Sequence, residues 1–213
     1  MTKQGSVEIS VVLDRSGSMQ ERKSDTIGGF NAFLDEQQKL PGACTVSLYQ
    51  FDDKYEPVYE NVTVDKAPRL NDTNYVPRGN TALLDAVGRT INAVGARLGS
   101  LPEEDRPEKI LMVIQTDGHE NASREFDNAK IKEMIDHQRE VYQWQFIFLG
   151  ADENAFAVGA SIGIARNQTL SYSPQNMAGT MSAVSGYAEA YRSSSKGASL
   201  QTGFTDQERK SAQ

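Results

Sequence analysis

The sequence predicts an α/β fold. Strand-like and helix-like segments alternate along the chain, the pattern of helices laid against a sheet. Several strand candidates are continuous apolar runs, Val11-Val12-Leu13 and Ile110-Leu111-Met112-Val113-Ile114 among them. Runs of that kind belong to strands covered on both faces. A third observation is a helix whose apolar residues, Leu83, Val87, Ile91, Val94 and Leu98, recur every three or four positions on one face.

The elements follow in order. Residues 7–14 read as the first strand. Ser18-Met19-Gln20-Glu21 has the form of a capping box, so a helix is expected from Ser18 to Leu40, with Ile27, Phe30, Phe33 and Leu34 inward and Pro41-Gly42 as its stop. Residues 45–51 form a second strand, Asp52-Asp53-Lys54 a turn, and residues 55–64 a partly polar third strand at a sheet edge. Residues 67–78, with two prolines, are a loop, and residues 81–98 the clearest helix. A buried strand is expected over 109–116, a helix over 123–143 with Ile131, Met134 and Ile135 inward, and another buried strand over 144–149. Tyr142, Trp144, Phe146 and Phe148 alternate as core and near-core residues. Asp152 reads as the cap of a helix reaching Ile162, residues 169–172 as a short last strand, and Ser173-Pro174 as the opening of a final helix to Arg192.

Composition bounds the function. The chain of 213 residues fits one domain, residues 1–192, followed by a flexible polar tail over 193–213 that is too poor in apolar residues to order itself. The net charge of −7 disfavours a duplex nucleic acid partner, which needs a concentrated basic face. The single cysteine, Cys44, rules out an internal disulfide, fits a small buried hydrophobe and suits a reducing compartment. No long apolar stretch follows the start and no run approaches the ~20 residues a membrane helix needs. The expectation is a cytoplasmic protein without a membrane partner.

The chemistry concentrates in three short strings. Asp14, Ser16 and Ser18 place three hard oxygens at alternate positions where the first strand ends; Gly79-Asn80-Thr81 and Thr116-Asp117-Gly118 supply two more. Open α/β sheets bind ligands beyond the carboxyl ends of their strands, so all five side chains can converge on one rim. Two carboxylates and three hydroxyls carry about −2. A divalent cation balances that charge and still lacks a full coordination shell, leaving room for a carboxylate from a partner. Each residue also has a local reading: Ser18 as a helix cap, Asp14 and Asp117 as acceptors of strand-end amides, Thr81 as a helix N-terminal residue. The case is the conjunction of the five.

Asp14-Arg15-Ser16-Gly17-Ser18, Gly79-Asn80-Thr81 and Thr116-Asp117-Gly118 together resemble the von Willebrand factor type A domain and its metal-ion-dependent adhesion site. Phe51-Asp52-Asp53, Thr81-Ala82-Leu83-Leu84-Asp85-Ala86 and Thr116-Asp117-Gly118-His119-Glu120-Asn121 are similar to compact bacterial and phage members. The resemblance extends over about residues 5–165. It implies a doubly wound, mostly parallel, Rossmann-like sheet with one antiparallel edge strand and helices on both faces. It also implies that Ser16, Ser18 and Thr81 ligate a metal by their hydroxyls, and that Asp14 and Asp117 bind directly or through water and orient the serines. A small hydroxyl-rich site leans toward Mg²⁺, with Mn²⁺ or Ca²⁺ as alternatives.

Three functions compete. The first is a metal-dependent protein-binding module whose cation accepts an Asp or Glu from a partner; the resemblance suggests an AAA+ ATPase or a signalling protein. The second is a Mg²⁺-dependent phosphohydrolase on the same metal. A phosphatase with an Asp-x-Asp nucleophile motif needs a carboxylate where this chain has Ser16, and there is no phosphate-binding Gly-x-x-x-x-Gly-Lys loop. His119 and His137 have ordinary surface readings, so the chain is not expected to be an enzyme. The third is a fold whose metal site no longer matters. Asp52 and Asp53 read either as turn residues or as holders of a second ion. Gly159 to Gly163 reads as helix packing, and Lys130, Lys132 and Arg139 as a mixed-charge helix face.

Overall fold

The computed structural model describes residues 2–151, 154–173, 176–195 and 203–213. Six strands form one sheet: β1 (Lys3–Asp14), β2 (Cys44–Phe51), β3 (Tyr55–Thr63), β4 (Pro107–Thr116), β5 (Gln145–Gly150) and β6 (Thr169–Ser171). Their order is β3-β2-β1-β4-β5-β6. All neighbours are parallel except β2 and β3, which pair antiparallel at one edge. The helices are α1 (Lys23–Lys39), α2 (Leu83–Ser100), α3 (Asn128–Tyr142), α4 (Ala155–Ser161), α5 (Met177–Ser193) and α6 (Asp206–Ser211). Because β1 lies between β2 and β4, the chain leaves it toward opposite sides of the sheet, and the switch point falls at its C-terminal end.

Period-two alternation along β1 explains its continuous apolar run. Ile9, Val11 and Leu13 pack on one face with Phe30, Phe33 and Leu34 of α1 and Met181 and Val184 of α5. Val12 packs on the other face with Val87, Ile91 and Val94 of α2 and Ile131 and Ile135 of α3. A strand in the middle of three layers has no solvent face, so both parities are buried, the even one including the polar Ser6, Glu8 and Ser10. Glu8 interrupts the pattern inside the core, and Arg97 of α2 pairs with it. The regular apolar face of α2 is the one that fills this second core.

Several boundaries depart from expectation, each for a tertiary reason. The first helix does not start at Ser18: residues Gly17–Arg22 form a 3₁₀ turn and α1 begins at Lys23. Ser18 makes no cap; its hydroxyl donates to Asp117 across the sheet. Helix α3 begins at Asn128 and not at residue 123, because the amides of Arg124, Glu125 and Phe126 are taken by the Asp85 carboxylate. Tyr142 ends α3 and is exposed, so it does not join the aromatic alternation of β5. Helix α5 starts at Met177 with Asn176 as its cap, the Asn176 side chain accepting from the Gly179 amide at 3.1 Å. The expected roles of Asp152 and Pro174 lie outside the described residues.

The far end of the expected flexible tail is folded. Helix α6 carries a capping box at Thr205 and Glu208, and Phe204 and Ala212 are buried. Apolar residues spaced around one helical turn were too few to signal this from composition; the neighbouring α5 supplies the rest of the core.

Candidate metal centre

Three loops meet at the C-terminal ends of β1 and β4. Backbone bonds join the first two: Gly17 N donates to the Gly79 carbonyl (3.1 Å) and Arg78 N to the Arg15 carbonyl (2.8 Å). Gly79 adopts φ +67°, and a β-carbon there would lie 2.1 Å from Asp53 Oδ1, so only glycine allows this approach. A buried bracket backs the junction. Asp52 Oδ2 accepts from Arg15 Nε (3.0 Å) and Arg78 Nε (2.9 Å), and Oδ1 from the Lys54 amide (2.7 Å). Burial alone would raise the Asp52 carboxyl, but these hydrogen bonds and the two guanidinium charges outweigh it and hold it below the usual range. With Oδ2 on two arginines and Oδ1 on the Lys54 amide, Asp52 braces the loop junction.

The third loop is clasped to the start of α2. Asn121 Oδ1 accepts from Thr81 N (2.9 Å) while Asn121 N donates to the Thr81 carbonyl (3.1 Å). Glu120 accepts from the amides of Leu84, Ala122 and Ser123 and from the Ser123 hydroxyl, at 2.7–2.9 Å. Asp85 takes the three following amides. A helix N-terminus leaves free N–H groups; at α2 the Glu120 carboxylate answers Leu84 N (2.9 Å) and the Ser123 hydroxyl answers Asp85 N (3.0 Å). Sequence reading missed Asp85, Glu120 and Asn121 as positioning residues; an acidic residue in the first turn of α2 was the available signal.

The five expected residues come together. Asp14 is fully buried: Oδ1 accepts from Ser16 N (2.6 Å) and Oδ2 from the Thr116 hydroxyl (2.5 Å). The Ser16 and Ser18 hydroxyl oxygens lie 3.1 Å apart, and Ser18 Oγ donates to Asp117 Oδ1 at 2.6 Å. Thr81 closes the ring from the α2 side: a methyl placed on Gly118 would sit 3.0 Å from Thr81 Oγ1 and 3.4 Å from Ser18 Oγ. The remaining Asp117 oxygen, Oδ2, pairs with Arg22. Beneath the rim, the Tyr75 hydroxyl donates to the Asp14 carbonyl at 2.7 Å and fixes the end of β1.

Burial pushes the Asp14 carboxyl up to about 6; bonds from Thr116 and Ser16 act against this, and the nearby Asp117 adds to it. Such a group is held ready for a positive charge. Among the described residues no cluster of three or more His, Cys, Asp and Glu side chains is placed to hold a metal. The oxygens gathered at this point belong to two carboxylates and three hydroxyls, a hard-oxygen set that would fit Mg²⁺, Mn²⁺ or Ca²⁺. Asp53 and His119 are exposed beside the site. The crevice next to Asp117, between Gly118, Phe148 and Ala155, measures about 10 Å³, the lower bound for one water. A cavity of about 560 Å³, lined by Leu98, Ile110, Tyr142 and Trp144, lies at the opposite ends of the strands.

No family model matches the sequence, and no curated protein matches it. Its fold is that of the von Willebrand factor A domain, as solved structures show. Proximal thread matrix protein 1 from the mussel byssus superimposes with a TM-score of 0.61 at 16% identity, over 87% of this chain and 46% of that one. The same protein with a zinc-occupied adhesion-site motif gives 0.61 at 16% identity, over 86% and 46%. The von Willebrand factor domain of the type V pili tip protein Mfa5 from Porphyromonas gingivalis gives 0.62 at 9% identity, over 89% of this chain and 97% of that one. The chain thus spans about half the length of the mussel protein it matches.

Proposed function

We propose that this chain is a metal-ion-dependent protein-binding module. Ser16, Ser18 and Thr81 would hold a divalent cation by their hydroxyls, with Asp14 and Asp117 binding directly or through water. The cation, Mg²⁺ in the first instance, would supply a Lewis-acidic position for an Asp or Glu carboxylate of a protein partner. The single observation that carries the reading is the convergence of Ser18, Asp117 and Thr81, distant in sequence, around Gly118.

The shape of the site supports binding over catalysis. Ser18 is exposed above the buried Asp14, Ser16 and Thr81, and the crevice beside Asp117 measures only about 10 Å³. His119, the best candidate for a general base, is exposed, and among the described residues no hydrogen bond joins it to an acid that would activate it. A partner surface can present a carboxylate to such a rim without entering a pocket. The zinc-occupied motif of the mussel protein supports a metal on this fold. By resemblance, an AAA+ ATPase or a signalling protein of the cytoplasm is the partner class we favour.

Thermal unfolding with and without cation tests the proposal. At one hundred times its dissociation constant a ligand adds about 2.7 kcal/mol, roughly 5–10 °C for a chain of this size. Mg²⁺ or Mn²⁺ is expected to raise the melting temperature by that order, and Asp14→Ala and Ser16→Ala to abolish the rise. Wild-type protein indifferent to both cations would end the metal reading. Turnover of a generic phosphoester that survives Ser18→Ala and is lost in His119→Ala would favour an enzyme instead.

A further inference from the structure

Arg22 carries a positive charge onto Asp117, where it opposes a bound cation directly. It ends the 3₁₀ turn that starts at Gly17, so the turn that presents Ser18 also folds the guanidinium back over the site. Its Nη1 pairs with Asp117 Oδ2 and lies 3.5 Å from the Ser18 carbonyl. With Ser18 on the other oxygen, both Asp117 oxygens are engaged and its side chain is fully covered. Arg22 Nε is buried without a hydrogen-bond partner, so the Asp117 carboxylate is the main anchor of the guanidinium.

We propose that Arg22 is an internal counter-ion that sets the cation affinity and selectivity of the site; this rests on the metal-binding reading above. Two carboxylates and one guanidinium sum to −1. A monovalent cation carries no more charge than the guanidinium it would have to displace, and the guanidinium is tethered. A divalent cation carries twice that charge and can win Asp117 or share it. Arg22 therefore costs the site affinity for every cation, and costs it most where the competitor is singly charged. Once a divalent ion is held, two carboxylates, the ion and Arg22 sum to +1, a surplus that attracts an acidic guest.

Titration of Mn²⁺ followed by the electron paramagnetic resonance of the free ion tests this on the full chain, in low salt and in added K⁺. Arg22→Gln is expected to bind Mn²⁺ about tenfold more tightly, as removal of a like charge a few ångströms away requires, and to lose more of that binding to K⁺ than wild type does. Arg22→Lys keeps the charge and is expected to stay near wild type. Unfolding in EDTA reports the fold: loss of the Asp117 pair lowers stability there, which a purely structural Arg22 would also do, but without tighter Mn²⁺ binding. Wild-type binding matched or exceeded by Arg22→Gln in Kd, meaning equal or weaker affinity in the variant, overturns the role of Arg22 alone. Mn²⁺ bound by neither protein overturns this proposal and the metal reading together.

Discussion

A carboxylate buried with only neutral donors is an unstable choice for a folded chain, and Asp14 is such a residue. Its carboxyl lies at about 6 in place of 3.8, so the folded protein holds that proton more tightly than the unfolded chain. The linked stability is fully present below about pH 4 and is lost as pH rises through 6. At about 1.4 kcal/mol per pH unit, the loss is on the order of 2–3 kcal/mol. In EDTA, Asp14→Asn is therefore expected to raise the melting temperature by several degrees at pH 7.5 and to leave it little changed at pH 4.5. An unchanged melting temperature at both pH values would mean that the buried charge carries no such cost. Sites built for ligands commonly trade stability in this way. Asp14 and its four partners were visible in the sequence by type and order. Arg22 was not, because its role depends on a turn that returns it over the carboxylate of Asp117.

Among the elements, the segment between β4 and α3 shows how position is imposed from outside. Residues 120–126 contain good helix formers, yet they form an irregular loop against α2 because Asp85 and Glu120 offer their amides charged acceptors. Asp85→Ala would strand three amides at once, at a cost of about 2–4 kcal/mol. Hydrogen exchange at Arg124, Glu125 and Phe126 is expected to accelerate far more than exchange in β4, and Mn²⁺ affinity to fall as Thr81 and Asp117 lose their common mount. Uniform acceleration across the chain would instead mark a global loss of stability. Helix ends elsewhere receive similar treatment. Arg192 donates to the carbonyls of Gln37, Leu40, Pro41 and Gly42 at the end of α1, and Lys109 donates to those of Tyr191, Arg192 and Ser194 at the end of α5. Cations at helix C-termini answer both free carbonyls and the dipole.

For the whole molecule, the open question of any flat sheet is its edges. The β3 edge is protected by polarity and by the bulges in its pairing with β2. The β6 edge is covered by the C-terminal residues: Arg209 Nη1 donates to the Thr169 carbonyl (2.8 Å), Gln213 Nε2 to the Ser171 carbonyl (2.7 Å), and Ser173 N to the Ala212 carbonyl (2.8 Å). Phe156 adds a stacked surface under Arg166, 4.1 Å from its ring centre, and Arg209 lies 5.7 Å from the same ring. Removal of residues 203–213 is expected to expose β6 and Tyr187 and to promote self-association, read by light scattering after size exclusion, while the cation response at the other loops persists. A monomeric truncated chain of unchanged stability would show that the edge needs no cover.

The sequence by itself determined the layers and the chemistry. The apolar runs of the buried strands, the apolar stripe of α2 and the hard-oxygen residues at strand ends are legible because their types and spacing are local facts. What only the tertiary structure decided is where tertiary partners outbid local signals. Ser18 left its cap for Asp117, the amides of 124–126 left the helix for Asp85, and the polar residues 203–213 folded because α5 and β6 offered them a surface. Hydrogen-bonding groups go to the strongest acceptor within reach, and reach across ninety residues exists only once the sheet has formed.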